Sequence, residues 1–258
     1  MDDAALAAIE QRALADFYRA LGTHAPGGSV LEPAPGVVAA VVPERPERSL
    51  LNAALAADER ALLTARAELA RAYEDAGVTA WSVWTRPGDD AAAAALAAAG
   101  HLLDSEPVLM AASMDELDLE PRMALHLDPG AGIATALEVN DRAYGLRPGD
   151  GLGGSLGSVP PGWRAYVARV DGAPASCAIA IAEHGNCELT LVATVPSARG
   201  RGLAAELMRK ALREARSDGA ATTTLEASAM GEPVYARMGY RSLGRLGLWE
   251  LRRPASDR

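Results

Sequence analysis

Apolar positions recur at near-helical spacing from the start of the chain. Leu6, Ile9, Leu14, Phe17, Tyr18 and Leu21 predict a helix over residues 1–22, ended by Gly22 and the Pro26-Gly27-Gly28 run. A strand is expected over 36–42, stopped by Pro43. Leu62, Leu63, Ala65, Leu69, Ala70 and Tyr73 then predict a helix over 58–76, with Gly77 in the position that closes helices. The β-branched and aromatic run 78–84 reads as a strand, the alanine-rich 89–99 as a helix ended by Gly100, and 102–112 as another strand. The acidic stretch 115–121 has the character of a linker.

Beyond it, a strand is expected at 123–127 and a helix at 133–144, followed by a Gly/Pro/Ser-rich loop over 147–162. Strands at 164–170, 173–183 and 187–195 are joined by Asp171-Gly172 and His184-Gly185-Asn186, both hairpin signals. Leu203, Leu207, Met208, Ala211, Leu212 and Ala215 share one face of a helix over 202–217. A strand at 221–227, a short helix at 232–238 and one or two strands within 240–251 complete the chain. Both halves thus run helix, strand, short helix, glycine (Gly100 or Gly239) and final strand, a faint internal repeat.

A chain of 258 residues can bury one large core or two ordinary ones. No apolar run is long enough to cross a bilayer, and the acidic start Met1-Asp2-Asp3 lacks the features of a signal peptide, so a cytoplasmic protein without membrane association is expected. The net charge of −9 is uneven: residues 1–120 hold 8 Arg against 20 Asp and Glu, and residues 121–258 hold 17 Lys and Arg against 14. A polyanionic ligand is therefore expected in the second half, and nucleic acid is not expected as a partner. Cys177 and Cys187 flank the second hairpin in registers that keep their thiols apart. No His/Cys cluster has metal-ligand spacing, so no metal is expected.

The strongest local signal is Val195-Pro196-Ser197-Ala198-Arg199-Gly200-Arg201-Gly202-Leu203-Ala204, between an apolar strand and an amphipathic helix. A helix N-terminus presents unbonded N–H groups and the positive end of the macrodipole, a seat for a diphosphate. Gly200 and Gly202 remove side chains that would block approach, while Arg199 and Arg201 add charge.

Arg199 to Ala204 resembles the [Gln/Arg]-x-x-Gly-x-[Gly/Ala] signature of the GNAT superfamily of acetyl-coenzyme A-dependent N-acetyltransferases. Tyr235-Ala236-Arg237-Met238-Gly239-Tyr240 resembles that family's later Tyr-x-x-x-Gly-Phe element, with Tyr240 in place of phenylalanine. The resemblance spans about residues 122–253. It implies an α/β chain of the α+β kind with two GNAT-like domains, each a mixed, mostly antiparallel sheet flanked by helices. It also implies that the fourth and fifth strands of the second sheet splay, with the pantetheine of acetyl-CoA bonding the backbone at Val192, Ala193 and Thr194 and the pyrophosphate resting on Gly200, Arg201, Gly202, Leu203, Ala204 and Ala205.

By the same resemblance, Tyr235 is the general acid that protonates the departing thiolate, and a neutral amine attacks the thioester directly. Alternation along 187–195 places Glu188, Thr190, Val192 and Thr194 on one face and Cys187, Leu189, Leu191, Ala193 and Val195 on the other. Glu188 then stands at an offset used by some family members for a general base, with Glu226 or water as rivals. Glu138, Asn140, Tyr144 and Trp163 are acceptor-site candidates by position, and Trp81 and Trp84 read as core aromatics. The family's asparagine contact is missing, since the corresponding loop is Ser228-Ala229-Met230-Gly231.

The expected division is therefore residues 1–118, a degenerate GNAT-like domain without a cofactor site, and residues 122–254, the catalytic one. The expected activity is transfer of an acetyl group to an unidentified primary amine. The alternative is a catalytically silent acyl-CoA-binding sensor or scaffold.

Overall fold

The computed structural model describes residues 1–253; Pro254, the last residue of the expected second domain, lies outside them. Two units emerge, each built on a six-stranded sheet. Among the described residues the N-terminal unit comprises 14–108, 155–158 and 244–253, and the C-terminal unit comprises 1–13, 109–154 and 159–243.

In the N-terminal unit, β1 (Ser29–Leu31), β2 (Val37–Val41), β3 (Ala53–Ala56), β4 (Ala80–Thr85), β5 (Leu102–Ser105) and β12 (Gly247–Arg252) form a sheet in the order β1-β2-β3-β4-β12-β5. Only the β3–β4 pairing among those registered is parallel. Helix α1 (Asp3–His24) contributes its second half to this unit, and α2 (Glu59–Asp75) and α3 (Asp90–Ala98) are both capped by aspartate, Asp58 accepting from the Ala61 N–H and Asp89 from the Ala92 N–H. The core gathers Leu62, Leu69, Tyr73, Trp81, Val83 and Leu96, and Trp84 is also buried, its indole donating to the Tyr18 hydroxyl at 2.7 Å. Burying each large side chain contributes about 1.5–3 kcal/mol.

The C-terminal unit orders its sheet β11-β6-β10-β9-β8-β7, from β6 (Val108–Ser113), β7 (Trp163–Val170), β8 (Ala173–Glu183), β9 (Asn186–Thr194), β10 (Thr222–Ala227) and β11 (Arg241–Arg245). Its helices are α4 (Ile133–Ala143), α5 (Leu203–Ser217) and the short α6 (Glu232–Ala236). The β7–β8 and β8–β9 hairpins close through Asp171-Gly172 and His184-Gly185, each pair left-handed at both residues, the backbone of a type I′ turn. Cys177 and Cys187 are free and buried, opposite Ala193 and Ala182, and burial pushes both thiols up to about 12.

Several expectations are corrected. The run 102–112 is two strands in two sheets, because Pro107 interrupts it; the run 240–251 holds two strands, as the sequence allowed, but β11 and β12 belong to different sheets. Consequently the expected cut between 118 and 122 is not the observed one: β6 precedes it yet lies between β11 and β10, and β12 follows it yet lies between β4 and β5. Residues 123–127 form no strand and make a single bridge, Leu127 to Ala168. Strands β1 and β3 are additions, one short and the other alanine-rich, both without strong β-formers in alternation.

Candidate cofactor and catalytic site

Strands β9 and β10 are parallel neighbours, registered only from Thr222 opposite Asn186 to Thr224 opposite Glu188. Beyond that point β9 continues to Thr194 without a registered partner on the β10 side. The splay expected between these two strands is present, and Val192, Ala193 and Thr194 line a cavity beside it.

The end of β9 departs from simple alternation. Leu191 has a φ of +51°, and the register with β8 jumps from Ile179 opposite Thr190 to Cys177 opposite Ala193. Leu191 and Val192 therefore oppose Ala178 alone, which makes a β-bulge. The expected two-face alternation over 187–195 fails here, because an extra residue resets the pleat. A left-handed leucine costs about 1–3 kcal/mol and is held only where the surroundings impose it, which marks the bulge as part of the site.

After β9 the chain turns through a short 3₁₀ segment (Pro196–Ala198) into α5. Gly200 and Gly202 have φ values of +77° and +76°, so both glycines are required by the backbone. Gly202 caps α5 without any side-chain hydrogen bond to the first turn, leaving those N–H groups available to an anion. The Arg199 guanidinium donates to the Thr194 carbonyl at 3.1 Å and the Ala143 carbonyl at 2.8 Å, so it ties the turn to the end of α4 as well as supplying charge.

The cavity is about 520 Å³. Arg199, Gly200, Arg201, Gly202, Leu203, Ala204 and Ala205 line it with the β9 residues, and so do Arg122, Arg209, Arg237, Tyr144 and Tyr235. Five arginines and no carboxylate line it, an electrostatic surface suited to a ligand with several negative charges. Sequence reasoning singled out two of the five. Arg122, Arg209 and Arg237 are scattered along the chain and share no local pattern.

Tyr235 is 8% exposed. Tyr18, Tyr73, Tyr166 and Tyr240, the other buried tyrosines, all have their hydroxyls hydrogen-bonded, to Trp84, the Ala40 carbonyl, Glu214 and Thr223 respectively. Among the described residues none hydrogen-bonds the hydroxyl of Tyr235, a residue that lines the cavity. Burial, then the nearby Tyr144, pushes the Tyr235 phenol above its ordinary value, so it stays protonated near neutral pH. Its ring is fixed from one side by Gly231, where a Cβ would come within 2.7 Å of the ring edge. Tyr240, standing where the family has phenylalanine, bonds the Thr223 hydroxyl at 2.8 Å and leaves Tyr235 free of that partner. The Ser228 hydroxyl, in the loop lacking the family asparagine, accepts from the Gly231 N–H at 3.2 Å.

Glu188 does not line this cavity. It is 2% exposed and sits in an electrostatic group with Glu226 of β10 and Glu10 of α1, itself fully buried. Burial, the Glu188 charge and Glu10, which hydrogen-bonds Glu226, push the Glu226 carboxyl well above the usual range. A carboxyl pair sharing a hydrogen bond needs one proton between them, so Glu226 and Glu10 hold a proton where isolated glutamates would not. Glu10 was not legible as a site residue, since in sequence it is one acid in an amphipathic helix. Of the acceptor candidates, Tyr144 lines the cavity; Glu138 is exposed, and Asn140 and Trp163 are buried away from it. Trp81 and Trp84 are buried in the N-terminal unit, as expected of core aromatics.

A mixed sheet with a bulged, splayed strand runs into a glycine turn, a bare helix N-terminus and an arginine-lined cavity, an arrangement that can hold a ligand with several negative charges. Residues 161–247 match the family model described as Acetyltransferase (GNAT) domain. The chain thus carries, in its C-terminal half, a segment similar to the GNAT domain.

Solved structures with the same fold include a GCN5-related N-acetyltransferase from Kribbella flavida, at 20% identity, TM-score 0.65, covering 92% of this chain and 95% of that one. A GCN5-related N-acetyltransferase from Sphaerobacter thermophilus aligns at 16% identity, TM-score 0.54, over 88% and 84% of the two chains. A tandem GNAT protein from the clavulanic acid biosynthesis pathway aligns at 16% identity, TM-score 0.56, over 84% and 78%. No curated protein matches the chain. These likenesses extend through most of the chain, and both units are GNAT-like α+β domains. Among the described residues no helix is long and apolar enough to cross a membrane.

Proposed function

We propose that the C-terminal unit transfers an acetyl group from acetyl-CoA to a primary amine by direct attack in a ternary complex. The observation that carries this reading is Tyr235, a buried side chain whose hydroxyl no described residue hydrogen-bonds, on the wall of an arginine-lined cavity that begins at the α5 N-terminus. The residues fit the cosubstrate. The first turn of α5, with Gly200 to Ala205, receives the pyrophosphate; Val192, Ala193 and Thr194 offer backbone partners to the pantetheine amides in the manner of an added strand. The phenol of Tyr235 donates its proton to the leaving thiolate, and the proton of the amine leaves to water in the cavity, with Glu188 or Glu226 as the carboxylates that could take it onward. The shared proton between Glu226 and Glu10 keeps the Glu188 environment from carrying three negative charges.

The N-terminal unit has Asp58 as cap at the start of α2, where the C-terminal unit has Gly202 at the start of α5. An aspartate there supplies the anion that a diphosphate would otherwise be. We therefore assign one acetyl-CoA site per chain. Calorimetry on the full chain tests this: a stoichiometry near one supports it, and two sites or none overturns it. A silent acyl-CoA-binding module is the second reading, favoured by the absence of Glu188 from the cavity wall. Amine-dependent thiol release separates the two.

A further inference from the structure

The bulge at the end of β9 decides how the residues beside the splay are presented. Continued without a break from Ile179 opposite Thr190, the β8–β9 ladder would set Cys177 opposite Val192 and Ser176 opposite Ala193; the extra residue moves both partners on by one, to Ala193 and Thr194. A one-residue slip turns every later side chain to the other face, and the peptide groups alternate with them. The bulged and the regular register therefore offer different groups to whatever lies in the splay. On the β10 side no registered partner holds β9 past Glu188. The hydrogen bonds that grip the bulged end come instead from β8 and from the glycine turn.

Side chains make them. The Cys177 thiol donates to the Leu191 carbonyl at 3.3 Å, the Ser176 hydroxyl to the Ala193 carbonyl at 3.0 Å, and the Arg199 guanidinium to the Thr194 carbonyl at 3.1 Å. A serine hydroxyl has a single hydrogen, and Ser176 gives it to Ala193, so Thr194 is the donor in the 2.8 Å contact between the Ser176 and Thr194 hydroxyls. Ser176 and Cys177 are both 0% exposed, and neither lines the cavity. Burial keeps the Cys177 thiol protonated near neutral pH, so its S–H remains a donor. A bulge takes carbonyls out of the regular ladder, and where water is scarce they still need donors; these two side chains supply them.

We propose that Ser176 and Cys177 are positioning residues for the pantetheine arm: from the neighbouring strand they hold β9 in its bulged register, and so fix which backbone groups of Val192, Ala193 and Thr194 the arm meets. The inference rests on the cofactor reading above and deepens it, because it assigns part of the arm's affinity to two buried side chains outside the cavity wall. Arg199 does the same for the Thr194 carbonyl, but its charge also serves the phosphates, so only the β8 pair separates the two halves of the ligand.

The test is calorimetric titration of the full-length chain with CoA and with adenosine 3′,5′-bisphosphate, which keeps the nucleotide and lacks pantetheine. Wild type is compared with Ser176→Ala, Cys177→Ala, the double variant and Cys177→Ser, and circular dichroism checks that each is folded. Ser176→Ala is expected to weaken CoA by about three- to tenfold, the weight of one neutral hydrogen bond, and Cys177→Ala by somewhat less because S–H is a weak donor. The double variant loses about tenfold or more, while bisphosphate affinity stays within about twofold of wild type. Cys177→Ser keeps a donor in a similar volume and restores CoA affinity to near wild type. Ser176→Cys, with a weaker donor in the same place, loses about twofold and serves if Ser176→Ala does not fold. A folded double variant that binds CoA as wild type does overturns the proposal while leaving the cofactor reading intact, and so does a loss shared equally by CoA and the bisphosphate. If wild type binds neither ligand, the cofactor reading falls and the proposal with it.

Discussion

Replacing Gly231 with alanine tests whether the position of the Tyr235 phenol matters, without altering the phenol. Gly231 has φ −80° and ψ −37°, a backbone that alanine adopts without strain. The added Cβ would lie 2.7 Å from Cε2 of Tyr235 and 3.0 Å from both Cζ and the hydroxyl oxygen. An unstrained carbon contact needs about 3.5–4.0 Å, so the ring edge must move by roughly 1 Å. Tyr240, its ring centroid 6.3 Å away and its hydroxyl anchored on Thr223, limits where the ring can go. A displacement of about 1 Å at a reacting group can cost about 10²-fold in rate, so kcat is expected to fall by roughly 10–100-fold. Affinity for acetyl-CoA should change little, since the glycine turn is untouched. Stability should also hold, because a Gly to Ala change at a compatible backbone contributes about 0.4–1 kcal/mol, which offsets the crowding. The assay is thiol release under saturating cosubstrate, with Tyr235→Phe and the double variant alongside. If Gly231 acts through Tyr235, the second substitution adds little to the first. A folded Gly231→Ala protein with kcat within twofold of wild type, or full additivity with Tyr235→Phe, would refute the reasoning.

Three further outcomes are expected. Gly202→Val should weaken acetyl-CoA binding, chiefly because valine resists the φ of +76° at the α5 cap; calorimetry on a folded variant checks it, and unchanged affinity contradicts it. Burial and the neighbouring charges raise the folded-state Glu226 carboxyl above its unfolded value, so its contribution to stability is fully present below about pH 4.5 and is lost as pH rises through the folded value. Glu226→Gln should therefore gain Tm relative to wild type between pH 4 and pH 8, and a constant difference across that range would count against the cluster. His101, 3% exposed and edge-on to Trp81, is lowered by burial to about 4, so its stabilising share is present above pH 6.5 and lost as pH falls through 4. His101→Phe should flatten acid denaturation between pH 6.5 and 4; an unchanged acid limb would show otherwise.

What was legible in the sequence was what is local. Arg199 to Ala204 and Tyr235 to Tyr240 carry their meaning in adjacent residues, and the Asp171-Gly172 and His184-Gly185 turns need only two residues each. The long helices announce themselves through periodicity. The parts that were missed depend on partners distant in the chain. Nothing near Val108–Ser113 says that it will lie between β11 and β10, and nothing near Gly247–Arg252 says that it will lie between β4 and β5. Pro107 could have divided the first run, and Gly244, with φ +119°, the second, but neither names the sheet that each piece joins. The bulge at Leu191 was hidden because leucine does not advertise a left-handed backbone, and alternation placed Glu188 beside a cavity whose lining does not include it. Glu10 joined Glu226 through a tertiary contact that helical spacing cannot encode.

The central claim is that the cavity at the α5 N-terminus performs acetyl transfer with Tyr235 as the acid. The most direct measurement is free-thiol release from acetyl-CoA across a panel of small amines, peptide N-termini and lysine peptides, with wild type and Tyr235→Phe compared at saturating cosubstrate. The account predicts release that depends on one amine class and a Tyr235→Phe kcat lower by about 10²–10⁴-fold, toward the lower end because thiolates leave readily. A wild-type protein that binds acetyl-CoA yet releases no thiol with any amine, or a Tyr235→Phe variant at full kcat in a chemistry-limited assay, would contradict it.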